Sequence, residues 1–123
     1  MNYLTVRNTT RRVELGRRVR YAKSLTERAI GLLLTPRLAE GEGVYLSPCK
    51  SIHTFFMGYP IDVLFLDSAG TVLYQDTLRP WRMTGWRSKS RGVLEMMQGT
   101  LAHTGTRVGD QIEFEACLPA GRG

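Results

Sequence analysis

Cysteine is scarce in this sequence, and its scarcity excludes a disulfide-stabilised scaffold. Cys49 and Cys117 are the two cysteines among 123 residues, too few and too far apart for a disulfide framework. A domain of this length buries roughly two-thirds of its unfolded surface, so it needs neither disulfides nor a metal to fold. We expect two buried thiols, because free cysteine packs as a small hydrophobe. A disulfide between Cys49 and Cys117 remains an alternative if the protein is exported.

Long hydrophobic runs are also missing. No stretch approaches the roughly 20 apolar residues that cross a bilayer, and the start, MNYLTVRNTTRR, has no apolar segment of the kind that a signal peptide needs. The hydrophobic fraction of 42% and the charged fraction of 23% are those of a globular chain. We expect a cytoplasmic protein with one domain over residues 1–123, a frayed tail at 118–123, and a monomeric or small homo-oligomeric state.

Acidic residues are few at the N-terminus and absent from a later segment. Residues 1–37 carry nine basic and two acidic side chains, within a net charge of +6. Such uneven positive charge suggests an anionic partner. Residues 79–91, RPWRMTGWRSKSR, hold five basic residues and two tryptophans without an acid. Because this segment lacks a hydrophobic period, it is predicted to be an extended loop or irregular edge, partly exposed and mobile.

The most apolar part of the chain runs from Cys49 to Gly70. Within it, residues 61–66 predict a strand whose odd-numbered side chains face one way, while Leu64 and Leu66 face the other. A strand that is apolar on both faces belongs in the middle of a sheet with cover on both sides. This stretch is therefore expected to organise the fold.

Further short elements surround this strand. Strands are predicted at Tyr3–Arg7, Arg18–Ala22, Val44–Leu46, Thr71–Tyr74, Gly92–Glu95 and Gln111–Cys117. Gly16 is expected to separate the first two strands, and the turn at 67–70 joins a hairpin. Residues 24–27, SLTE, form a capping box ahead of a helix that ends at Pro36, and 99–103 are predicted to be a helical turn. The pattern favours an α+β, mostly-β domain: a small barrel-like antiparallel or mixed sheet with one capped helix and one short helical turn.

Together these motifs resemble a known family. They are the capped helix with Gly31-Leu32, Glu42-Gly43, the His-Thr-Phe-Phe-Met run, Pro60 to Asp67, Gly70, Val93-Leu94-Glu95, Gly99-Thr100 and Val108-Gly109-Asp110. In combination they are similar to the widespread prokaryotic family called domain of unknown function 192, over a core of about residues 24–117. The resemblance implies a compact, mostly-β, barrel-like fold, and no established activity, cofactor or ligand. The structural motif that it implies comprises Pro60, Asp62, Asp67, Gly70, Glu95, Gly99, Gly109 and Asp110.

The sequence departs from the family pattern in two ways. Many relatives carry an N-terminal export or lipoprotein segment that this sequence does not show. Other members have a longer segment between Met57 and Pro60 and do not keep the His53-Thr54 pair. The resemblance therefore gives His53 no mechanism that holds across the family.

Cys49, His53 and Asp62 are the candidates for catalysis. A histidine held by a carboxylate could activate a thiolate, but Cys-x-x-x-His spacing favours contact on a helix and not on an extended segment. We favour the alternative, a buried thiol near a histidine bonded to backbone. His103 and Cys117 would complete a Cys2His2 set with the first two residues. Its spacing lacks the close ligand pairs of zinc sites, so we predict no metal and no other cofactor.

Four acids belong to the family motif: Asp62, Asp67, Glu95 and Asp110. Paired carboxylates can perform acid–base chemistry when burial separates their pKa values. Asp67 and Asp110 instead suit turns, where they bond the backbone close to a glycine. Asp62 lies within an apolar strand, so we expect it to be buried with backbone amides or an arginine as partner. We favour structural roles for these acids over catalytic ones.

The residues that best suit a binding surface come from two separate segments. They are His53, Phe56, Trp81, Arg82, Trp86 and Arg87. Aromatic side chains interleaved with basic ones suit single-stranded nucleic acid, and also an acidic peptide or a lipid headgroup surface. The function we infer is a non-catalytic binding or accessory module. Binding of nucleic acid or another anionic partner through the tryptophan segment, and a thiol-dependent hydrolase using Cys49 and His53, remain as alternatives.

Overall fold

The protein folds around one seven-stranded sheet. The computed structural model describes residues 3–22, 37–55 and 57–117. The elements are β1 (Tyr3–Asn8), β2 (Val13–Ala22), β3 (Glu42–Leu46), β4 (Ile61–Leu66), β5 (Val72–Leu78), β6 (Gly92–Met97), the helix α1 (Thr100–Thr104) and β7 (Ile112–Cys117). The strand order is β5-β4-β6-β3-β2-β1-β7. Neighbouring strands are antiparallel except β2 and β3, which pair in parallel.

The mostly-β prediction is confirmed, while the barrel description fits only loosely. The sheet is open, with β5 and β7 as its edge strands. These edges touch where an isolated bridge joins Thr71 to Gln111, next to a hydrogen bond of 2.9 Å from the amide of Ile112 to the carbonyl of Gly70. The predicted capped helix at 24–35 and the predicted frayed tail lie outside the described residues.

Strand β4 has the two buried faces that its sequence predicts. All six of its residues are buried, and it lies between β5 and β6. Ile61, Val63 and Phe65 join one hydrophobic cluster, whereas Leu64 and Leu66 join another on the opposite face. Alternation of side chains along a strand produces this division. The second cluster also contains Leu101 of α1 and Ile112 of β7.

The break predicted at Gly16 is wrong, because β2 continues through this residue from Val13 to Ala22. Gly16 is buried, and a Cβ atom placed there would collide with the carbonyl of Gly41. The pairing of β1 with β2 shifts register at this point, from Leu4↔Val19 to Val6↔Gly16. A glycine in a strand often marks such a close backbone approach rather than a strand end.

The turns agree with their sequence signals. The side chain of Asp67 accepts hydrogen bonds of 2.9 Å from the amides of Ala69 and Thr71, and Gly70 adopts a φ of 85°. Gly105 ends α1 with a φ of 70° and donates its amide to the carbonyl of Leu101. Positive φ favours glycine at both places.

The first hydrophobic cluster is covered by the segment between β3 and β4. Ile52, Met57 and Tyr59 from that segment are buried against the odd-numbered side chains of β4. This packing anchors the inner side of residues 50–55 and leaves their outer side at the surface. Within the described residues, no helix has the length and apolar character to cross a membrane.

Candidate functional site

Two segments that are distant in sequence form one surface feature. Residues 50–54 run antiparallel to residues 79–87, with an isolated bridge between His53 and Met83. Backbone hydrogen bonds join the amide of Thr54 to the carbonyl of Arg82 at 2.7 Å and the amide of Thr84 to the carbonyl of Ile52 at 2.9 Å. We call the paired residues 50–55 and 79–91 the ridge. The two segments that supplied the predicted binding residues are thus brought together.

Thr54 holds the turn at the end of the ridge. Its side chain is fully buried, and its hydroxyl donates to the carbonyl of Arg79 at 2.6 Å and accepts from the amide of Arg82 at 2.9 Å. The carbonyl of Thr54 also accepts from the amide of Trp81 at 3.0 Å. Thr84 acts similarly further along, since its hydroxyl accepts from the amide of Ile52 at 3.0 Å. Two buried threonines therefore fix the backbone beneath the surface.

The turn that Thr54 fixes places a tryptophan in an unfavourable conformation. Trp81 has a φ of 64°, which is rare for a bulky residue and costs about 1–2 kcal/mol. Its side chain is nevertheless 56% exposed. Backbone strain that the surrounding hydrogen bonds maintain is found frequently at functional sites.

The ridge concentrates the exposed apolar surface of the protein. Within the described part of the chain, five large hydrophobic residues are exposed, and three of them lie here: Trp81, Met83 at 68% and Trp86 at 73%. His53 stacks on Phe55 with ring centroids 4.9 Å apart, and Phe55 lies 5.8 Å from Trp81. A grouped apolar surface of this kind indicates an interaction site, whereas scattered exposed residues do not.

The basic residues of the ridge fall into two groups. Arg87 places its guanidinium 3.6 Å from the ring centroid of Tyr74, and Lys50 donates from Nζ to the carbonyls of Ser88 at 2.6 Å and Ser90 at 2.9 Å. These two cations serve internal contacts. The cations with exposed side chains are Arg79, Arg82, Lys89 and Arg91. The outward-facing set thus differs from the predicted one, which named Arg87, and Phe56 of that set lies outside the described residues.

Asp62 is occupied by donors from inside the fold. It is 1% exposed, and its carboxylate accepts from the hydroxyl of Thr77 at 2.7 Å and from the amides of Gly99 at 3.1 Å and Leu101 at 2.9 Å. The two amides belong to the first turn of α1. Asp62 therefore caps that helix from a neighbouring strand, and a shallow depression of about 450 Å³ opens beside it, lined also by Gln98.

Asp110 lies just before β7 and bonds to groups of β1 and of the turn that follows it. It accepts from Asn8 Nδ2 at 2.9 Å, Arg11 Nε at 2.8 Å and the amide of Arg107 at 3.0 Å. Burial opposes ionisation of Asp110, but these hydrogen bonds outweigh it and lower the pKa of the carboxyl. Gly109 beside it has a φ of 95°. This motif acid ties the β1–β2 turn to the loop before β7.

Glu95 lies in the centre of the sheet, on β6. It pairs with Val44 on one side and Val63 on the other and is 4% exposed. Burial raises the pKa of its carboxyl to about 8, an effect that the charge of Arg20 partly offsets. The carboxyl of Glu95 is therefore largely protonated at neutral pH.

Of the three residues considered for thiol chemistry, Cys49 lies just before the ridge, His53 lies within it, and Asp62 lies on β4. The half-buried Cys49 donates its thiol to the carbonyl of Ser51 at 3.1 Å, and Nδ1 of His53 accepts from the amide of Phe55 at 3.2 Å. Lys50 between them lies at a bend, and residues 50–54 pair with residues 79–87. The carboxylate of Asp62 accepts from Thr77, Gly99 and Leu101 instead of holding His53.

The four residues considered for a metal do not form a described cluster. No group of three potential ligands assembles within the residues that the structure describes. His103 lies on α1, away from the segment that carries Cys49 and His53. The side chain of Cys117 lies outside the described part.

Four arginines of the N-terminal third lie on other strands or on the turn between them and face acidic partners. Several arginines of β1, β2 and the turn between them approach a carboxylate within 4 Å. These ion pairs join Glu14 to Arg7 and Arg17, Glu42 to Arg18, and Asp110 to Arg11. These ion pairs reduce the positive electrostatic potential that the excess of basic residues would otherwise produce here.

Sequence reasoning missed the residues that build the ridge from below. Thr54 and Thr84 carry its backbone, and Met83 supplies much of its exposed apolar surface. A threonine within the otherwise apolar run around His53 could have drawn attention to the first of these. The pairing partner of that threonine could not be inferred, since it lies 25 or more residues away.

Comparisons with known proteins agree with the fold. The family model described as "Uncharacterized ACR", also called domain of unknown function 192, matches residues 5–114. A UPF0127 protein of Thermococcus sibiricus is 32% identical over 117 residues, which cover 91% of this chain and 75% of the relative. A UPF0127 protein of Pyrococcus horikoshii is 37% identical over 102 residues, covering 78% and 86%.

A solved structure extends the likeness to three dimensions. It is a protein of unknown function from Novosphingobium aromaticivorans, and its TM-score with this chain is 0.73 at 22% identity, over 89% of this chain and 82% of that one. At this identity the likeness concerns the fold alone. The protein belongs to the uncharacterised family UPF0127, or domain of unknown function 192, for which no activity is established.

Proposed function

We propose that the protein is a non-catalytic binding module whose contact surface is the ridge and whose partner is anionic. The observation that carries this proposal is the exposure of Trp81, Met83 and Trp86 beside exposed cations. Aromatic and arginine side chains are the residues that supply most binding energy at interfaces. Residues 50–55 and 79–91 contain no aspartate or glutamate, so an anionic partner meets no repulsion from the ridge itself.

A thiol-dependent hydrolase is not favoured, because its three residues are engaged elsewhere. Cys49 and His53 each bond to neighbouring backbone, and Asp62 binds the start of α1. A general base must lie within hydrogen-bond reach of the group that it activates. These hydrogen bonds of Cys49, His53 and Asp62 go to other groups and not to one another.

Nucleic-acid binding through the N-terminal third is not favoured either. That model needs a continuous groove of cations that follows a phosphate backbone. Arginines of β1 and β2 instead form ion pairs with Glu14 and Glu42, and they belong to strands outside the ridge. The ridge is shorter than such a groove, and it exposes large apolar side chains.

Retention on immobilised heparin tests the binding surface. The double substitution Arg79→Gln and Arg82→Gln should move elution to lower salt and lower the salt dependence of binding by roughly one unit for each lost contact. The matched control is Arg12→Gln with Arg107→Gln, which removes the same charge from exposed arginines outside the ridge. Equal shifts for the two double variants would mean that net charge alone drives retention, and the proposal would fail.

A further inference from the structure

We infer that the ridge docks on the surface of an anionic lipid bilayer, with Trp81, Met83 and Trp86 entering the headgroup region. The inference rests on the proposed binding function and names its partner. Tryptophan is favoured at membrane interfaces because one part of the ring is apolar while its N–H remains hydrated. Methionine adds a flexible apolar side chain between the two tryptophans.

The shape of the ridge favours a flat partner over a peptide or a small molecule. Met83 and Trp86 expose 68% and 73% of their surface, so they project outward and do not line a depression. Grooves that bind peptides and pockets that bind small molecules surround apolar ligand groups on several sides. A projecting apolar side chain can bury its surface by entering a deformable apolar region. A bilayer interface provides such a region.

The charges around the apolar side chains complement an anionic surface. Arg79, Arg82, Lys89 and Arg91 are exposed. Each basic residue near an anionic bilayer strengthens attraction about fivefold. A single weak anchor is rarely enough for stable association, whereas an apolar insertion combined with several cations is. The ridge supplies both.

Part of the ridge backbone already has hydrogen-bond partners inside the fold. Peptide groups that enter an apolar region must already have partners. Thr54 and Thr84 satisfy backbone groups of Arg79, Arg82 and Ile52 from the inner side. The strained conformation of Trp81 is held by the same contacts. These backbone groups would keep their partners if the side chains entered the headgroup region.

Tryptophan fluorescence tests this inference directly, because Trp81 and Trp86 are the two tryptophans of the chain. Vesicles of phosphatidylcholine and phosphatidylglycerol in equal parts should shift the emission to shorter wavelength. Brominated phosphatidylcholine in the same vesicles should quench it. Pure phosphatidylcholine vesicles should bind at least tenfold more weakly, since each lost cation contact accounts for about fivefold.

Two pairs of variants locate the contact. Arg79→Gln with Arg82→Gln should lower vesicle binding about twenty-fivefold at low salt, and Arg12→Gln with Arg107→Gln should lower it much less. Met83→Ser should weaken co-sedimentation with vesicles, while Val108→Ser, a change at an apolar residue that is 58% exposed outside the ridge, should not. Both serine variants should keep their unfolding midpoint, because the two side chains make few contacts.

The outcomes separate this inference from the broader proposal. Quenching by brominated lipid that depends on anionic lipid and on the ridge supports bilayer docking. A shift with polyglutamate or oligothymidylate but none with vesicles overturns bilayer docking and leaves the binding module standing. No shift with any of these probes, together with equal heparin retention of the two arginine double variants, overturns both. Equal binding to pure phosphatidylcholine contradicts the role given to the cations.

Discussion

The acids of the family motif bond to groups inside the fold, whereas the ridge exposes charged and aromatic side chains. Asp62 receives three donors from within the fold and is 1% exposed. On the ridge, buried threonines do the internal bonding and leave Trp86 and Arg82 at the surface. Asp62 and Asp110 of the family motif therefore help to maintain the fold through bonds to internal groups. The ridge contains none of the motif acids.

Among the predicted substitutions, removing the carboxylate of Asp62 should lower the stability of the fold most. Asp62→Ala leaves the hydroxyl of Thr77 and the amides of Gly99 and Leu101 without their acceptor. We expect the free energy of unfolding to fall by about 3 kcal/mol, measured by urea denaturation.

The substitution should leave binding by the ridge intact in the folded fraction. Asp76→Ala, at an exposed acid on the adjacent strand, is the control and should change stability little. A stable Asp62→Ala protein that has lost partner binding would reverse the comparison. Asp62 would then belong to the functional surface.

The second prediction concerns pH and the buried Glu95. Its pKa is raised from 4.5 to about 8, so the folded protein retains a proton that the unfolded chain releases above its own pKa. The contribution of this group is complete below pH 4.5 and is lost as pH rises to about 8. Glu95→Gln should abolish that loss.

Urea denaturation at pH 5 and pH 7 measures the effect of Glu95. Between these values the parent should lose about 2 kcal/mol more stability than the Glu95→Gln variant. Glu113→Gln changes an exposed acid of β7 and should follow the parent. Parallel pH dependence of the parent and Glu95→Gln would show that Glu95 is ionised in the folded state.

The smallest predicted loss of stability comes from a substitution beneath the ridge. Thr54→Val keeps the side-chain shape but removes the hydroxyl that contacts Arg79 and Arg82. We expect a loss of about 1.5 kcal/mol, together with a several-fold weaker interaction of the ridge with heparin, because the turn at Trp81 loses its restraint. Denaturation and heparin retention measure the two effects.

Two further variants identify the cause. Thr54→Ser keeps the hydroxyl and should restore heparin retention. Thr100→Val removes another buried hydroxyl, which donates to the carbonyl of Met97 at 2.7 Å, and should lower stability without affecting the ridge. If Thr100→Val weakens heparin retention as much as Thr54→Val does, the effect comes from general loosening.

Local sequence signals predicted much of the fold. Alternation in β4, the glycine that ends α1 and the Asp67 turn all depend on neighbours within a few residues. The error at Gly16 has a different origin, because only the approach of Gly41 explains why a glycine occupies a strand interior. The strand order also depends on contacts between distant segments, which sequence periodicity does not encode.

The candidate surface was predictable in composition but not in arrangement. Clustered tryptophans and arginines without an acid indicated a surface segment in residues 79–91. The separation of Arg87 from the outward-facing cations was not predictable, since Arg87 stacks on Tyr74 of β5. Nor was the pairing of this segment with residues 50–54, which hydrogen bonds between distant backbone groups create.

The family, the mostly-β class and the two-faced central strand can be inferred from the amino-acid sequence, because they follow from local patterns of side chains. Tertiary structure alone decided which polar groups face inward and which face a partner. Asp62 and Arg82 are both charged, yet one meets amides of a helix start and the other meets solvent. Burial and the available donors depend on which segments pack together, and that packing is a property of the whole chain.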